Sequence, residues 1–242
     1  MKEWLLSIAD QFNTAFIVDD RWKYIVKGLG NTLLITFFAL ILGVVIGILV
    51  AGIRSTYDKQ KDEMQKGFGK IFLSIANKIC KIYLTVIRGT PVMVQIMIIF
   101  FVIMASSKNK ILCGIIAFGI NSGAYVAEII RSGIMSIDQG QTEAGRSLGY
   151  NYFQTMWYIV LPQAFKNILP ALANEFIVLL KETSIACYVG VVDLTGGGNI
   201  IRGITYQSFF PLIAVAIIYL ILVMFFTKLV SILERRLKNS ER

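Results

Sequence analysis

Long apolar runs separated by short polar stretches dominate the chain. Leu33 to Ile53, Ile82 to Ala105, Ile111 to Ile130 and Phe209 to Val230 each come close to or exceed the roughly 20 mostly apolar residues that a spanning helix needs. A fifth stretch, Ile168 to Val192, has the length but is interrupted by Glu175, Lys181 and Glu182. Ionisable residues at membrane depth are costly and face an interior or a watery path, so this stretch reads as a span with functional polarity. With 56% hydrophobic residues and a mean hydropathy of +0.67, a chain of 242 residues carries more apolar surface than a soluble domain of that size can bury. The expected fold class is all-α integral membrane, with about five transmembrane helices.

The first twenty residues carry Glu3, Asp10, Asp19 and Asp20 and lack an apolar core ahead of a small-residue site, unlike a cleaved signal peptide. Residues 1–22 are read as an N-terminal interfacial segment, either an amphipathic helix using Trp4, Leu5, Ile8, Phe12 and Phe16 or a solvated tail. Residues 23–242 form the membrane domain.

A net charge of +9 raises the question of a nucleic-acid partner, but the basic residues sit beside the apolar spans and form no separate basic face. Lys59, Lys61, Lys66, Lys70, Lys78 and Lys81 lie in the first loop, and Arg235, Arg236, Lys238 and Arg242 in the tail. By the positive-inside rule these are topology signals, and no nucleic acid is expected. Five spans then place the N-terminus outside, the C-terminus in the cytoplasm, and the loop from Ser132 to Leu161 in the cytoplasm.

Cys80, Cys113 and Cys187 are odd in number and widely spaced, so neither a disulfide framework nor a metal site is indicated. The chain has no His, which excludes Ser-His-Asp and Cys-His catalysis and HExxH metal sites. It also has no GxxxxGK[ST] run, so it builds no P-loop of its own. No catalytic residue, metal or cofactor is expected in this chain, and any ATP energy must come from a partner.

Gly43 and Gly47 in the first span and Gly119 and Gly123 in the third form GxxxG pairs that permit close helix approach, either inside the subunit or in a dimer contact. Between Arg54 and Asn77 a Lys-rich insert with interspersed acids reads as a surface helix near anionic headgroups or a plain solvated linker. The second span is interrupted at Arg88-Gly-Thr-Pro91, where Pro removes a donor and biases its predecessor away from helix, giving either a kink or a functional break at a cavity.

The segment at about 138–162 is the most informative. Asp138 stands where it can cap a helix, Gln141 at capping-box spacing, and Gly149 where a left-handed stop is needed; Tyr150 to Leu161 reads as a second helical piece closed by Pro162. Two short cytoplasmic helices make a rigid knob on which a soluble partner can push. The run Glu143, Ala144, Gly145, then Gly149, Ile159, Leu161 and Pro162 resembles the coupling loop of permease subunits of bacterial ABC importers, with every gap matching and Gly145 in place of the family's Ala. The likeness extends to the polar amino acid branch through Gly28-Leu-Gly-Asn-Thr-Leu, Tyr83, Arg88-Gly-Thr-Pro91, Gln95, Asn121 to Arg131, Gly140-Gln141, Leu161-Pro-Gln163-Ala, Asn174 and Leu180-Lys-Glu-Thr-Ser184. The insert from Asp58 to Lys70 is longer than the family leads one to expect.

This resemblance implies the ABC importer permease fold and a plasma-membrane subunit importing a polar amino acid. It implies an ABC ATPase subunit that binds ATP and Mg, an extracellular solute-binding protein, and a second permease subunit, with self-pairing expected and a related chain as the alternative. It also assigns coupling to the ATPase to Glu143, Ala144, Gly145 and Gly149.

Candidates for substrate contact are Gln95, Asn121, Tyr125, Glu128, Asn174 and Glu175, with Ser122 and Lys181 also polar within spans. Asn121, Tyr125 and Glu128, at spacings of four and three, share a helix face. Carboxylates and amides suit the ammonium of a zwitterion, and a Lys or backbone amide its carboxylate. Glu128 lies near Arg131, so a structural ion pair is the alternative, and for Gln95 and Asn121 the alternative is interhelical hydrogen bonding. Two rival classes are an ion-driven carrier using Glu128 and Glu175 as a proton path, and a membrane scaffold. The absence of an inverted repeat opposes the first, and the broken spans oppose the second.

Overall fold

The computed structural model describes residues 8–60 and 67–239, apart from the side chains of Gln60, Lys238 and Asn239. Trp4, Leu5, Lys61, Lys66 and Arg242 lie outside the described residues. Among the described residues every regular element is helical. The long helices are α1 (Trp22–Gln60), α2 (Phe68–Gly89), α4 (Lys110–Met135), α7 (Leu161–Glu182) and α9 (Phe209–Asn239). Shorter ones are α3 (Val92–Ile98), prolonged by a π-turn over Ile99–Ile103, and α5 (Gln139–Ser147), α6 (Tyr152–Thr155) and α8 (Leu194–Thr205).

At 39 residues α1 is about 58 Å long, far more than a hydrocarbon layer of about 30 Å. Helices α1, α4 and α9 are each long and apolar enough to cross a membrane, and α2 with α3 makes at most a fourth crossing, bent by 110°. Helix α7, at 22 residues, is long enough but carries Lys166, Glu175, Lys181 and Glu182 and does not reach the same apolarity. The five expected spans thus correspond to four apolar segments and one polar helix. The insert is helical at both ends, since Arg54 to Gln60 are the last turns of α1 and Phe68 to Asn77 the first half of α2.

Helix α4 is the central post: 61% of its apolar window is buried, against 11% for α9, whose Leu220, Ile221, Met224 and Phe225 point outward. It owes this position to small residues. A Cβ on Gly47 would lie 2.5 Å from Val126, one on Gly43 3.1 Å from Ser122, one on Gly119 2.6 Å from Leu42 and one on Gly123 2.9 Å from Ile46. The two GxxxG pairs therefore interlock α1 with α4 inside one subunit, the intramolecular of the two readings. Ile35, Ala39, Ile96, Phe118 and Leu179 form one apolar cluster around this pair, and Ala51, Val126, Ile130, Val160 and Ile168 another.

Residues 8–12 are helical and lead into a π-turn, Asn13–Ile17, and a 3-10 turn, Val18–Asp20. Phe12 is half exposed, whereas Phe16 turns inward to join Ile25, Leu194, Ile201 and Val215. Helix α8 runs through Gly196, Gly197 and Gly198 and ends at Tyr206, which adopts a left-handed conformation. Its glycines are required by packing, since Cβ atoms there would meet Val191 O, Tyr24 O and Val215 within 3 Å. Buried Asp193 caps α8 by accepting hydrogen bonds from Thr195 N and Gly196 N, each at 3.0 Å. Burial pushes its carboxyl up to about 6, although those N–H groups pull the other way. Thr32 Oγ1 accepts from Leu194 N and Asn31 Nδ2 donates to Val192 O, which ties α8 to the start of α1.

Candidate functional site

Two polar clusters lie inside the bundle. The first is built on the break at Gly89 to Pro91. Helix α2 ends there with free carbonyls, and Gln95, one turn into α3, reaches back to satisfy them. Its Nε2 donates to Ile87 O at 2.7 Å, Thr90 Oγ1 at 2.8 Å and Thr90 O at 3.0 Å, while its Oε1 accepts from Asn121 Nδ2 at 2.9 Å. One turn away, Tyr83 Oη donates to Ile120 O at 2.6 Å. Gln95 and Asn121 are both buried and hold the bend against the middle of α4. The amide of Gln95 is already committed on both ends, which favours interhelical hydrogen bonding for this pair.

The second cluster is open. A cavity of about 500 Å³ lies between α2, α4 and α7, lined by Arg88, Tyr125, Glu128, Ser132, Asn167 and Glu175 among others. Arg88 Nη1 stands 3.7 Å from Glu128 Oε1, and the guanidinium lies 5.9 Å from the centre of the Tyr125 ring. Glu128 Oε2 is 3.5 Å from Arg131 Nη2, whose Nη1 is 3.4 Å from Asp58 Oδ2. The expected Glu128–Arg131 pair is thus present as the middle of a four-member chain. Glu175 is buried and accepts from Ser122 Oγ at 2.8 Å. The cavity wall presents one guanidinium and two carboxylates, which offers partners for both ends of a zwitterion.

Of the six sequence candidates, Tyr125, Glu128 and Glu175 share this cavity; Gln95 and Asn121 form the closed cluster; Asn174 is exposed on α7 and lines no cavity described here. Asn121, Tyr125 and Glu128 lie on one face of the continuous helix α4, but Asn121 is bonded to Gln95 while Tyr125 and Glu128 line the cavity. Sequence reading missed Arg88 and Asn167 as wall residues. The spacing of Asn167, Ala171 and Glu175, four apart along one helix, was the available signal.

The loop carries the two expected helices. Asp138 Oδ1 accepts from Gly140 N at 2.6 Å and caps α5. The stop is a Schellman turn: Gly149 has φ +83°, Gly149 N donates to Arg146 O and Tyr150 N to Gly145 O. Gln141 does not close a capping box; its Oε1 accepts from Gln163 Nε2 at 3.3 Å, and the box is formed instead by Asn151 and Gln154. Pro162 does not end the second piece. The chain widens into a π-turn over Met156–Val160 and continues as α7, with Pro162 in the first turn, where a missing donor is tolerated. Glu143, Ala144 and Gly149 are exposed, whereas Gly145 is buried, where a Cβ would lie 2.9 Å from both Thr155 and Ile159. The close approach at Gly145 is thus made within the loop, joining its two helices into one unit.

A bundle of apolar helices around a polar cavity, with a rigid helical knob between two of them, defines a multi-span membrane transport subunit. Residues 69–239 match the model of the family described as the binding-protein-dependent transport system inner membrane component, and the chain belongs to that family. It is a multi-pass inner-membrane permease of the polar amino acid ABC branch. The arginine transport system permease protein ArtQ of Bacillus subtilis (strain 168) is 36% identical over 222 residues, covering 90% of this chain and 94% of ArtQ. The glutamine transport system permease protein GlnP of Escherichia coli (strain K12) is 36% identical over 219 residues, covering 88% of this chain and 93% of GlnP. A crystal structure of an amino acid ABC transporter with histidines superposes with a TM-score of 0.79 at 40% identity, covering 91% of this chain and 98% of that one.

Proposed function

We propose that this permease imports a polar amino acid of the glutamine or arginine kind, and that the cavity of Arg88, Tyr125, Glu128 and Glu175 lies on its path. The observation that carries this reading is the opposed charge of the cavity wall, with Glu128 and Glu175 facing an ammonium and Arg88 a carboxylate. Gln95 and Asn121 shape the path by fixing the bend. The names of ArtQ and GlnP support the substrate class.

The loop transmits work from an ABC ATPase subunit that binds ATP and Mg; this chain needs no cofactor of its own. Glu143 offers a charge to the partner, Ala144 a small contact, Gly149 the stop, and Gly145 the joint that makes the knob rigid. A second permease subunit, a copy of this chain, completes the path, and an extracellular solute-binding protein delivers the substrate. The N-terminus lies outside and the C-terminus in the cytoplasm, as the Lys and Arg distribution supports.

The test is uptake of labelled basic, polar neutral, acidic and sulfur-containing amino acids by cells with and without this subunit. Loss confined to one polar class supports the reading, and no loss with the ATPase present contradicts it. Glu143→Lys and Gly149→Asp are expected to abolish uptake while the chain still inserts, because one reverses a docking charge and the other strains a left-handed turn. Normal uptake in both removes the coupling role.

A further inference from the structure

The cavity of Glu128 and Glu175 has a neighbour of opposite charge. This second cavity, of about 470 Å³, is lined by Arg54, Lys81, Thr85, Arg88 and Glu128 among others. Arg88 and Glu128 line both cavities, so their ion pair, at 3.7 Å, is a common wall. The charge balance reverses across it. On one side the wall adds Glu175 to the pair; on the other it adds Arg54 and Lys81.

The two added cations have no carboxylate of their own. Glu128 divides its oxygens between Arg88 and Arg131, and Asp58 pairs with Arg131. Neither Arg54 nor Lys81 forms an ion pair among the described residues. Lys81, Thr85 and Arg88, at spacings of four and three, share one face of α2, and Arg54 comes from the last turns of α1, so positive charge converges on the space from two helices. Like charges gathered in this way repel one another unless an anion joins them. Lys81 also lies about 10 Å nearer than Arg88 to the start of α2, where the first loop enters. In the proposed topology that loop is cytoplasmic, so the second cavity lies on the inward side of the first.

We propose that the second cavity is an exit station for the transported amino acid, whose carboxylate passes from Arg88 to Arg54 and Lys81 when the Arg88–Glu128 pair opens. The station rests on the amino acid reading above and adds a requirement to it. The substrate needs a free carboxylate at a second point on its path, and Arg54 and Lys81 are the groups that recognise it. A carboxamide in its place offers neither cation a charge to pair with.

The test uses the full chain with its ATPase and solute-binding protein in proteoliposomes. A cysteine is placed at Thr85, which lines the second cavity and not the first. Its modification by a small neutral methanethiosulfonate is followed by intact mass, with the wild-type chain as the background for Cys80, Cys113 and Cys187. Gly89→Cys, in the same wall and with nothing within 4 Å of an added Cβ, serves where Thr85→Cys does not assemble. The probes, present on both sides of the membrane, are arginine, glutamine, their carboxamides and inorganic phosphate. The amino acid that the wild type takes up is expected to slow modification about tenfold at roughly ten times its Kd. Its carboxamide should leave the rate unchanged. Lys81→Gln should abolish the protection and lower uptake about tenfold, and Lys81→Arg should keep both. No protection by an amino acid that the wild type does take up overturns the exit station and leaves the substrate reading standing. Equal protection by inorganic phosphate, which would mark a general anion site, or by the carboxamide, which would remove the carboxylate requirement, also overturns it. Failure of the wild type to take up any amino acid overturns the substrate reading, and the exit station with it.

Discussion

The two polar clusters lie within a few turns of each other along α4 and have opposite character. At Gln95 and Asn121 the donors and acceptors answer one another, both residues are buried, and the result is a staple. Around the cavity, Arg88 and Arg131 stand 3.7 and 3.5 Å from Glu128 and all three stay partly exposed, with Glu175 buried in the wall. A polar residue inside a span is thus no sufficient sign of a substrate site. What separates the two is whether its hydrogen-bonding capacity is already used.

The comparison can be broken most severely at the staple. Gln95→Leu leaves the carbonyls of Ile87 and Thr90 and the amide of Asn121 without their partner, and is expected to cost about 2–3 kcal/mol. Thermal unfolding of the solubilised subunit measures this, and a melting curve like the wild type's would show that the bend does not depend on Gln95. Asn121→Leu removes only one of those bonds and is expected to cost about 1–2 kcal/mol in the same assay. Glu128→Gln, in the open cluster, should change stability by less than about 1 kcal/mol, because its ion pairs are partly solvated. A large loss of stability there would make the open cluster structural as well.

A separate effect, read as a pH dependence of stability, concerns Asp193. Its folded carboxyl, near 6, lies above the ordinary value of 3.8, so the native state holds the proton more tightly than the unfolded one. Stability should therefore rise as pH falls from 7 through 6 and level off below about 4. Melting curves across that range test it, and Asp193→Asn should flatten the dependence.

The sequence revealed different parts of this design to different degrees. Helices α1, α4 and α9 were legible because unbroken apolar runs have few other homes. The small residues at Gly43, Gly47, Gly119 and Gly123 signalled close packing, but only the fold could say that each pair meets the other. Asp138 and Gly149 marked the ends of α5 because capping and a left-handed stop are local chemistry. The roles of Gln95 and Arg88 were hidden, since the 110° bend that brings their partners together is a tertiary outcome. Helix α8 was hidden for the reverse reason: three glycines oppose a helix locally, and the contacts with Tyr24 and Val215 that require them are distant in sequence.

The central claim is that the open cluster serves transport and the closed one serves the fold. It is tested most directly by uptake of labelled glutamine and arginine in cells carrying wild-type, Glu128→Gln or Gln95→Leu subunits, normalised to the folded subunit in the membrane. The account predicts that Glu128→Gln accumulates normally yet loses roughly tenfold of its uptake per folded subunit, the effect of one lost charge-assisted contact, while Gln95→Leu loses protein more than activity. Unchanged uptake per folded subunit in Glu128→Gln would contradict it.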